Sequence, residues 1–365
     1  MDRTRLSRSL LMKSLWGEDL HQRAVAPSFD GVGKFPNQTK TNMASFAPPA
    51  DPHHEPVMVR EVLQLLDPKP GAVVVDATLG YGGHAGAIAH RIGPGGLLVG
   101  LDLDPEAIEA SQAKAREWPC RTEFVQTGYD DLGLVLDRLG IGGINGIVVD
   151  LGVASPQIDC PGRGFSFQQE GPLDMRMDPE SSPSAAEWLA TAEEKDIRRT
   201  LLRYGEEKRA VSIAKAIVKE RGLGPIETTA QLVDIVGSCF PDRVRAGRVH
   251  PATRTFQALR VLVNDESKRL ERLLSYLPAR LLPDARLVFL AYESLADRMI
   301  KKSLLDWTGK NDPVLSRVPI RGEWEGLVKI LTPKVVRPSE EEVIRNRRAR
   351  SARLRAAERT RRPFR

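Results

Sequence analysis

The chain has 365 residues, 41% of them hydrophobic, enough to bury one large core with length to spare for an inserted or appended unit. Cys120, Cys160 and Cys239 are scattered with no CxxC pair, and apolar runs such as Arg286 to Tyr292 are strand-length against the about 20 residues that cross a bilayer; a disulfide framework, a bound metal and a membrane span are not expected, and a cytoplasmic protein is. The net charge of +6 is uneven, because residues 345–365 hold ten arginines against the single acid Glu358, about +9 in 21 residues, which leaves the remainder near −3.

Residues 1–50 mix Arg, Ser, Pro, Gly and Asn without apolar periodicity and read as a disordered leader. Met1 to Lys13 has the Arg and Ser of a transit peptide, but Asp2, Glu18, Asp19 and Asp30 are out of keeping with one, and Met43 offers an alternative start. From Val57 the pattern alternates. An amphipathic stretch runs through Leu66, followed by strand Ala72 to Val75, helix His84 to Arg91, strand Leu97 to Leu101 and helix Pro105 to Glu117. Strand Thr122 to Gln126, a short helix Leu132 to Leu139 and strand Gly146 to Val149 complete the series. Strands alternating with helices predict an α/β fold, a parallel sheet covered on both faces.

The alternation then stops. Ser184-Ala185-Ala186-Glu187 and Thr191-Ala192-Glu193-Glu194 have the form of capping boxes, and helical patterns follow over Ile197 to Tyr204, Glu206 to Arg221, Thr229 to Ser238 and Pro251 to Leu277. A strand returns at Ala285 to Tyr292, then a helix to Leu305 and a last strand near Leu327 to Leu331. The expected organisation is a leader (1–50), a core in two parts (51–158 and 262–338) interrupted by a helical insert (159–261), and a basic tail (339–365) suited to a polyanion.

The loop Asp76-Ala77-Thr78-Leu79-Gly80-Tyr81-Gly82-Gly83-His84 joins a strand to a helix. Its third glycine, Gly86, comes one place late for a dinucleotide fingerprint. Strand two ends at Asp102, twenty residues past Gly82, where a carboxylate can accept from both hydroxyls of a ribose; alternatively, Asp102 and Asp104 cap the helix begun by Pro105. Strand three ends at Gly128-Tyr129-Asp130, an aromatic face for adenine with a carboxylate or backbone edge for its amine. Asp76 and Asp150 would tolerate a cationic sulfonium and repel a pyrophosphate, which favours S-adenosylmethionine over a nicotinamide cofactor. Strand four runs into Asp150-Leu151-Gly152-Val153-Ala154-Ser155-Pro156-Gln157, so Asp150, Ser155 and Pro156 stand where the transferred methyl group is expected.

These strings, with HEPVM (54–58), RGFSF (163–167), GPLDMRMD (171–178), YGEE (204–207), HPATRTFQALR (250–260) and NRRARSARLR (346–355), closely resemble the bacterial RsmH (MraW) family over about His54 to Arg359. The resemblance implies a Rossmann-like class I methyltransferase core with an inserted helical domain, and N4 methylation of a cytidine in the decoding region of small-subunit (16S) rRNA. It implies S-adenosyl-L-methionine contacts at Gly82, Gly83, His84, Asp102, Tyr129, Asp150 and Gln157. The chain departs from the family at Ala291-Tyr292-Glu293-Ser294-Leu295-Ala296-Asp297-Arg298, where the usual string is Ser-Phe-His-Ser-Leu-Glu-Asp-Arg; at Ala154-Ser155, usually two serines; and at Asn346-Arg347, usually Asn-Pro.

A base attacked at its exocyclic amine must be unstacked, and Arg163, Phe165 and Phe167 offer partners for it; the two phenylalanines can equally anchor the insert. Arg254, Gln257, Val261 and Asn264 share one helical face, read as RNA-facing or domain-bridging, while Phe256, Leu259 and Val263 share a core face. Arg348, Arg350 and Arg353 are the expected phosphate contacts of the tail, and Asp174 with Arg176 reads as a structural ion pair. The expected partner is small-subunit rRNA, with no membrane and an oligomeric state that the sequence leaves open, a homodimer included. Two other readings stay open: a non-catalytic RNA-binding or ribosome-assembly factor retaining the fold, and a nicotinamide-dependent oxidoreductase.

Overall fold

The computed structural model describes residues 56–241, 250–309 and 326–363. The leader at 1–50 lies outside them, as do the readings placed on Met1 to Lys13 and Met43.

Strands β1 (Val73–Asp76), β2 (Leu97–Asp102), β3 (Arg121–Gln126), β4 (Ile144–Leu151), β5 (Leu281–Ala291), β6 (Val328–Ile330) and β7 (Arg353–Arg359) form one sheet in the order β3-β2-β1-β4-β5-β7-β6. The first five run parallel and β7 is antiparallel to β5 and β6, a Rossmann-like arrangement as expected. Both faces are covered, and strand periodicity splits the apolar residues between them: Val75, Ile147, Val149, Leu287 and Phe289 enter one core, Val74, Val148, Val288 and Leu290 the other. Helices α1 (Val59–Leu66), α2 (Gly83–Ile92), α3 (Pro105–Ala115) and α4 (Leu132–Arg138) connect or flank the strands. Because β1 runs on to β2 on one side and its neighbour β4 to β5 on the other, the connections part in opposite directions and open a crevice at the carboxyl ends of these two strands.

After α5 (Ser155–Asp159) the chain builds a separate apolar core from α6 (Ala185–Thr191), α7 (Glu194–Gly205), α8 (Ala210–Arg221), α9 (Thr229–Ser238) and α10 (Thr253–Val263), filled by residues from Leu173 to Val263. The Ser184 capping box forms: Ser184 Oγ accepts from Glu187 N at 3.2 Å and Glu187 Oε2 accepts from Ser184 N at 2.7 Å. The second does not, because Thr191 is the last residue of α6 and spends its hydroxyl on the Glu187 carbonyl. Helix α8 begins at Ala210 rather than Glu206, which takes a left-handed φ of 49° and closes α7.

The single helix expected over Pro251 to Leu277 is two, α10 and α11 (Glu266–Tyr276), broken at Asp265 with φ 52°. Asn264 makes the break: its side chain accepts from Met177 N and donates to the carbonyls of Met175 and Arg260. Apolar residues of α10 belong to the insert's core and those of α11 to the sheet's. Beyond α12 (Ser294–Trp307), the tail at 339–365 is also not a free appendage. It forms α13 (Glu340–Arg345) and then β7, whose Leu354, Ala356 and Ala357 are fully buried between β5 and β6.

Candidate functional site

The carboxyl ends of β1 to β5 open into one cavity of about 500 Å³ that extends to the insert. The β1 loop is pinned across its neighbours: Ala77 N donates to the Val148 carbonyl, Leu79 N to that of Leu101, and Asp150 N to Thr78 Oγ1 at 2.7 Å. Gly82 starts α2 at φ 79°, and a Cβ there would stand 3.0 Å from Ser111 Oγ and 3.2 Å from the Trp118 ring, so any other residue would be strained and crowded. Asp102 receives Gly80 N at 2.7 Å on one carboxylate oxygen and Asp104 N at 2.9 Å on the other. The helix cap is Asp104 alone, which accepts from Glu106 N; Asp102 organises the loop and lines the cavity.

Three carboxylates converge here. Burial pushes Asp76 up to about 7 and Asp102 up to about 6, and raises Asp150 despite the nearby His84 ring and Tyr292 hydroxyl. Asp76 Oδ2 and Asp150 Oδ1 are buried with no hydrogen-bond partner. Such a cluster fits a cationic guest, which would supply the missing counter-charge, and rejects an anionic one. His84, 7% exposed, places Nε2 2.9 Å from the Val57 carbonyl oxygen and Nδ1 3.8 Å from Asp150 Oδ2.

Tyr129 lines the cavity with its hydroxyl donating to the Glu266 carbonyl at 2.9 Å. Asp130 does not offer its carboxylate to a ligand amine as anticipated: Arg269 at 2.7 Å and Arg272 at 2.9 Å occupy it and hold it below the usual carboxylate range, leaving the backbone edge. Ser155 and Gln157 are buried on the cavity wall at the start of α5, and Gln157 is fixed at both ends, accepting from Ala154 N and donating to Asp104 Oδ2.

Of the other sequence-predicted residues, Gly83, Phe165, Phe167 and Arg348 also line the cavity, whereas Gly82, Pro156, Arg163, Arg254, Arg350 and Arg353 do not. Gly82 faces Trp118, and Pro156 stiffens the first turn of α5. Arg163 is not available to stack on a base. Its guanidinium lies 2.9 Å from Asp104 and also bonds Glu106 and the carbonyls of Arg176 and Met177, so its place is in the joint between insert and core. Phe167 packs on Phe256 and His250, with ring centroids 4.9 and 4.8 Å apart, and so anchors the insert while lining the cavity. Arg254 is exposed and donates to the Glu206 carbonyl. Arg348, beside the cavity mouth, pairs with Asp159, and Arg353 lies in the sheet opposite Ala291.

The α10 stripe divides. Val261 is 1% exposed within the insert's core, contrary to an RNA-facing position, while Gln257 bridges the two parts of the fold by donating to Glu293 Oε2 at 2.7 Å. Asp174 and Arg176 form the expected ion pair at 2.7 Å. Sequence reasoning overlooked Thr78, Arg260 and Glu266 as parts of the wall and treated Tyr292 and Glu293 only as departures. Tyr292 follows β5 directly, so the strand-end rule that found Asp102 and Asp150 would have found it too.

The model of the MraW methylase family matches residues 51–360. The chain is 45% identical over 310 residues to the ribosomal RNA small subunit methyltransferase H of Thioalkalivibrio sulfidiphilus, covering 84% of this chain and 98% of that one. It is 46% identical over 310 residues to the protein of the same name from Nitratidesulfovibrio vulgaris, covering 84% and 85%. Among solved structures, fibrillarin from Aeropyrum pernix with natively bound S-adenosyl-L-methionine is a distant likeness, at 10% identity and a TM-score of 0.32 over 79% of this chain and 67% of that one.

Proposed function

The chain belongs to the MraW methylase family, and from that premise we propose that it methylates the N4 amine of a cytidine in the decoding region of small-subunit rRNA with S-adenosylmethionine as donor. The observation that carries this reading is the gathering of Asp102, Tyr129 and Asp150 from three successive strand ends around one cavity, with the buried Asp76 of β1 electrostatically coupled to Asp102 and Asp150.

The donor fits the residues present. Asp102 suits the ribose hydroxyls, Tyr129 the adenine, and Asp150, with the charge of the buried Asp76 coupled to it, a positive sulfonium. When bound, it supplies an electrophilic methyl group. The acceptor side is the part of the cavity walled by Phe165, Phe167, Phe256, Gln257 and Glu293, where aromatic faces can hold an unstacked base. A cytosine amine is a weak nucleophile because its lone pair is delocalised into the ring. Asp150 and neighbouring loop carbonyls can accept its protons and localise that pair. The rigid β4–α5 turn through Ser155 and Pro156 keeps these acceptors still, and orientation of the reactants contributes several kcal/mol more. Arg254, Arg348 and Arg350, with further insert surface, are assigned to the rRNA backbone, and Arg353, held in the sheet with a buried guanidinium nitrogen, is not.

With a partner of this kind we assign the protein to the cytoplasm. Among the described residues no helix is long and apolar enough to cross a membrane. The test is incubation of the protein with labelled S-adenosylmethionine and small ribosomal subunits, followed by nucleoside mapping. Label on one N4-methylcytidine is expected. Tight subunit binding without label would overturn the reading in favour of an assembly factor.

A further inference from the structure

We propose that His84 completes the proton path of the transfer, taking up through Asp150 the proton that the cytosine amine must lose. This rests on the methyltransferase reading above, and it assigns His84 as a positioning and proton-holding residue rather than a contact of the donor alone.

The geometry fixes the tautomer. Nε2 of His84 lies 2.9 Å from the Val57 carbonyl oxygen. A carbonyl can only accept, so Nε2 carries the ring hydrogen. In the neutral ring Nδ1 is then a bare lone pair, and it faces Asp150 Oδ2 at 3.8 Å. A lone pair against a carboxylate repels; one added proton turns the contact into an attraction. Val57 cannot simply turn away, because the next residue, Met58, donates its backbone N–H to Glu342 Oε1 at 2.6 Å. The other titratable groups of the cluster are Asp76 from β1, whose ionised form attracts a proton placed on the ring, and Tyr292 from the end of β5, whose hydroxyl bonds to Asp150. Asp150 lines the cavity, and its Oδ1 is buried and unpartnered, an acceptor with nothing yet to accept.

The step balances. As N4 bonds to the methyl carbon and the carbon–sulfur bond breaks, positive charge passes to the nitrogen, which sheds one proton to Asp150. The carboxylate hands a proton to Nδ1, so the methylated amine leaves neutral and Asp150 is regenerated. The ring returns its proton to solvent once the product has gone.

The first test needs no activity. In full-length protein labelled with 15N-histidine, the His84 resonances, identified by their loss in His84→Asn, should show a protonated Nε2 and a bare Nδ1 at alkaline pH; a protonated Nδ1 in the neutral ring would overturn the proposal. The second is kinetic. His84→Asn should lower kcat by about 10²-fold, well beyond any loss of S-adenosylmethionine affinity. Unchanged kcat, or a loss confined to donor affinity, would sink the proton path alone. A wild-type protein that methylates no rRNA would sink the functional reading, and the path with it.

Discussion

Glu342 in α13 accepts a 2.6 Å hydrogen bond from the backbone N–H of Met58, 284 residues earlier, and so ties the C-terminal segment to the start of α1. Met58 itself sits at φ 55°, with its side chain 1% exposed. The tail is therefore a support for the loop that holds His84. Glu342→Ala should destabilise the protein by about 1.5–3 kcal/mol, the cost of removing a charged partner from a buried amide. Urea unfolding checks this, and an unchanged midpoint would contradict it.

The carboxylates Asp102 and Asp150 divide binding from chemistry. Asp102→Ala should weaken S-adenosylmethionine binding, measured by calorimetry, by about 10²-fold, as expected when two charge-assisted hydrogen bonds are lost. Asp150→Ala should chiefly lower kcat. Equal kinetics in both variants and the wild type would refute the assignment.

Asp76 makes the ligand-free protein pH-sensitive. Its folded-state value of about 7 lies above the ordinary 3.8, so the folded state holds the proton more tightly than the unfolded chain. The stabilisation this provides is complete below about pH 4 and is lost as the pH rises through 7. Asp76→Asn should remove that dependence, and the stability difference between variant and wild type should grow from pH 4 to pH 7. A cationic donor favours the ionised form, so its affinity should rise over the same window. Parallel stability curves for the two proteins would contradict this.

Arg163 separates a structural role from an RNA-binding one. Asp104 is fully buried and accepts from Arg163, Gln157 and Glu106 N. Arg163→Ala should cost about 2–3 kcal/mol of stability. An RNA-stacking arginine would instead give normal stability and weakened subunit binding.

The parallel half of the sheet was legible because its strands are short β-branched runs, such as Val73 to Val75, that end at polar loops. The strand-end carboxylates followed from the same pattern. What stayed hidden was set by tertiary partners. β7 reads RLRAAER, three arginines with two alanines, and only its place between β5 and β6 makes it a strand. The break at Asp265 depends on Asn264 reaching Met175 and Met177, some 87 to 89 residues away in sequence. Arg163 looked like a ligand group because nothing local reveals that Asp104 waits for it.

The most direct measurement is a crystal structure of the protein grown with S-adenosylmethionine. The ribose should lie on Asp102, the adenine beside Tyr129, and the methyl group should face Asp150 with the insert's aromatic wall beyond it. A donor bound away from these strand ends, or one whose methyl group points away from Asp150, would contradict the account.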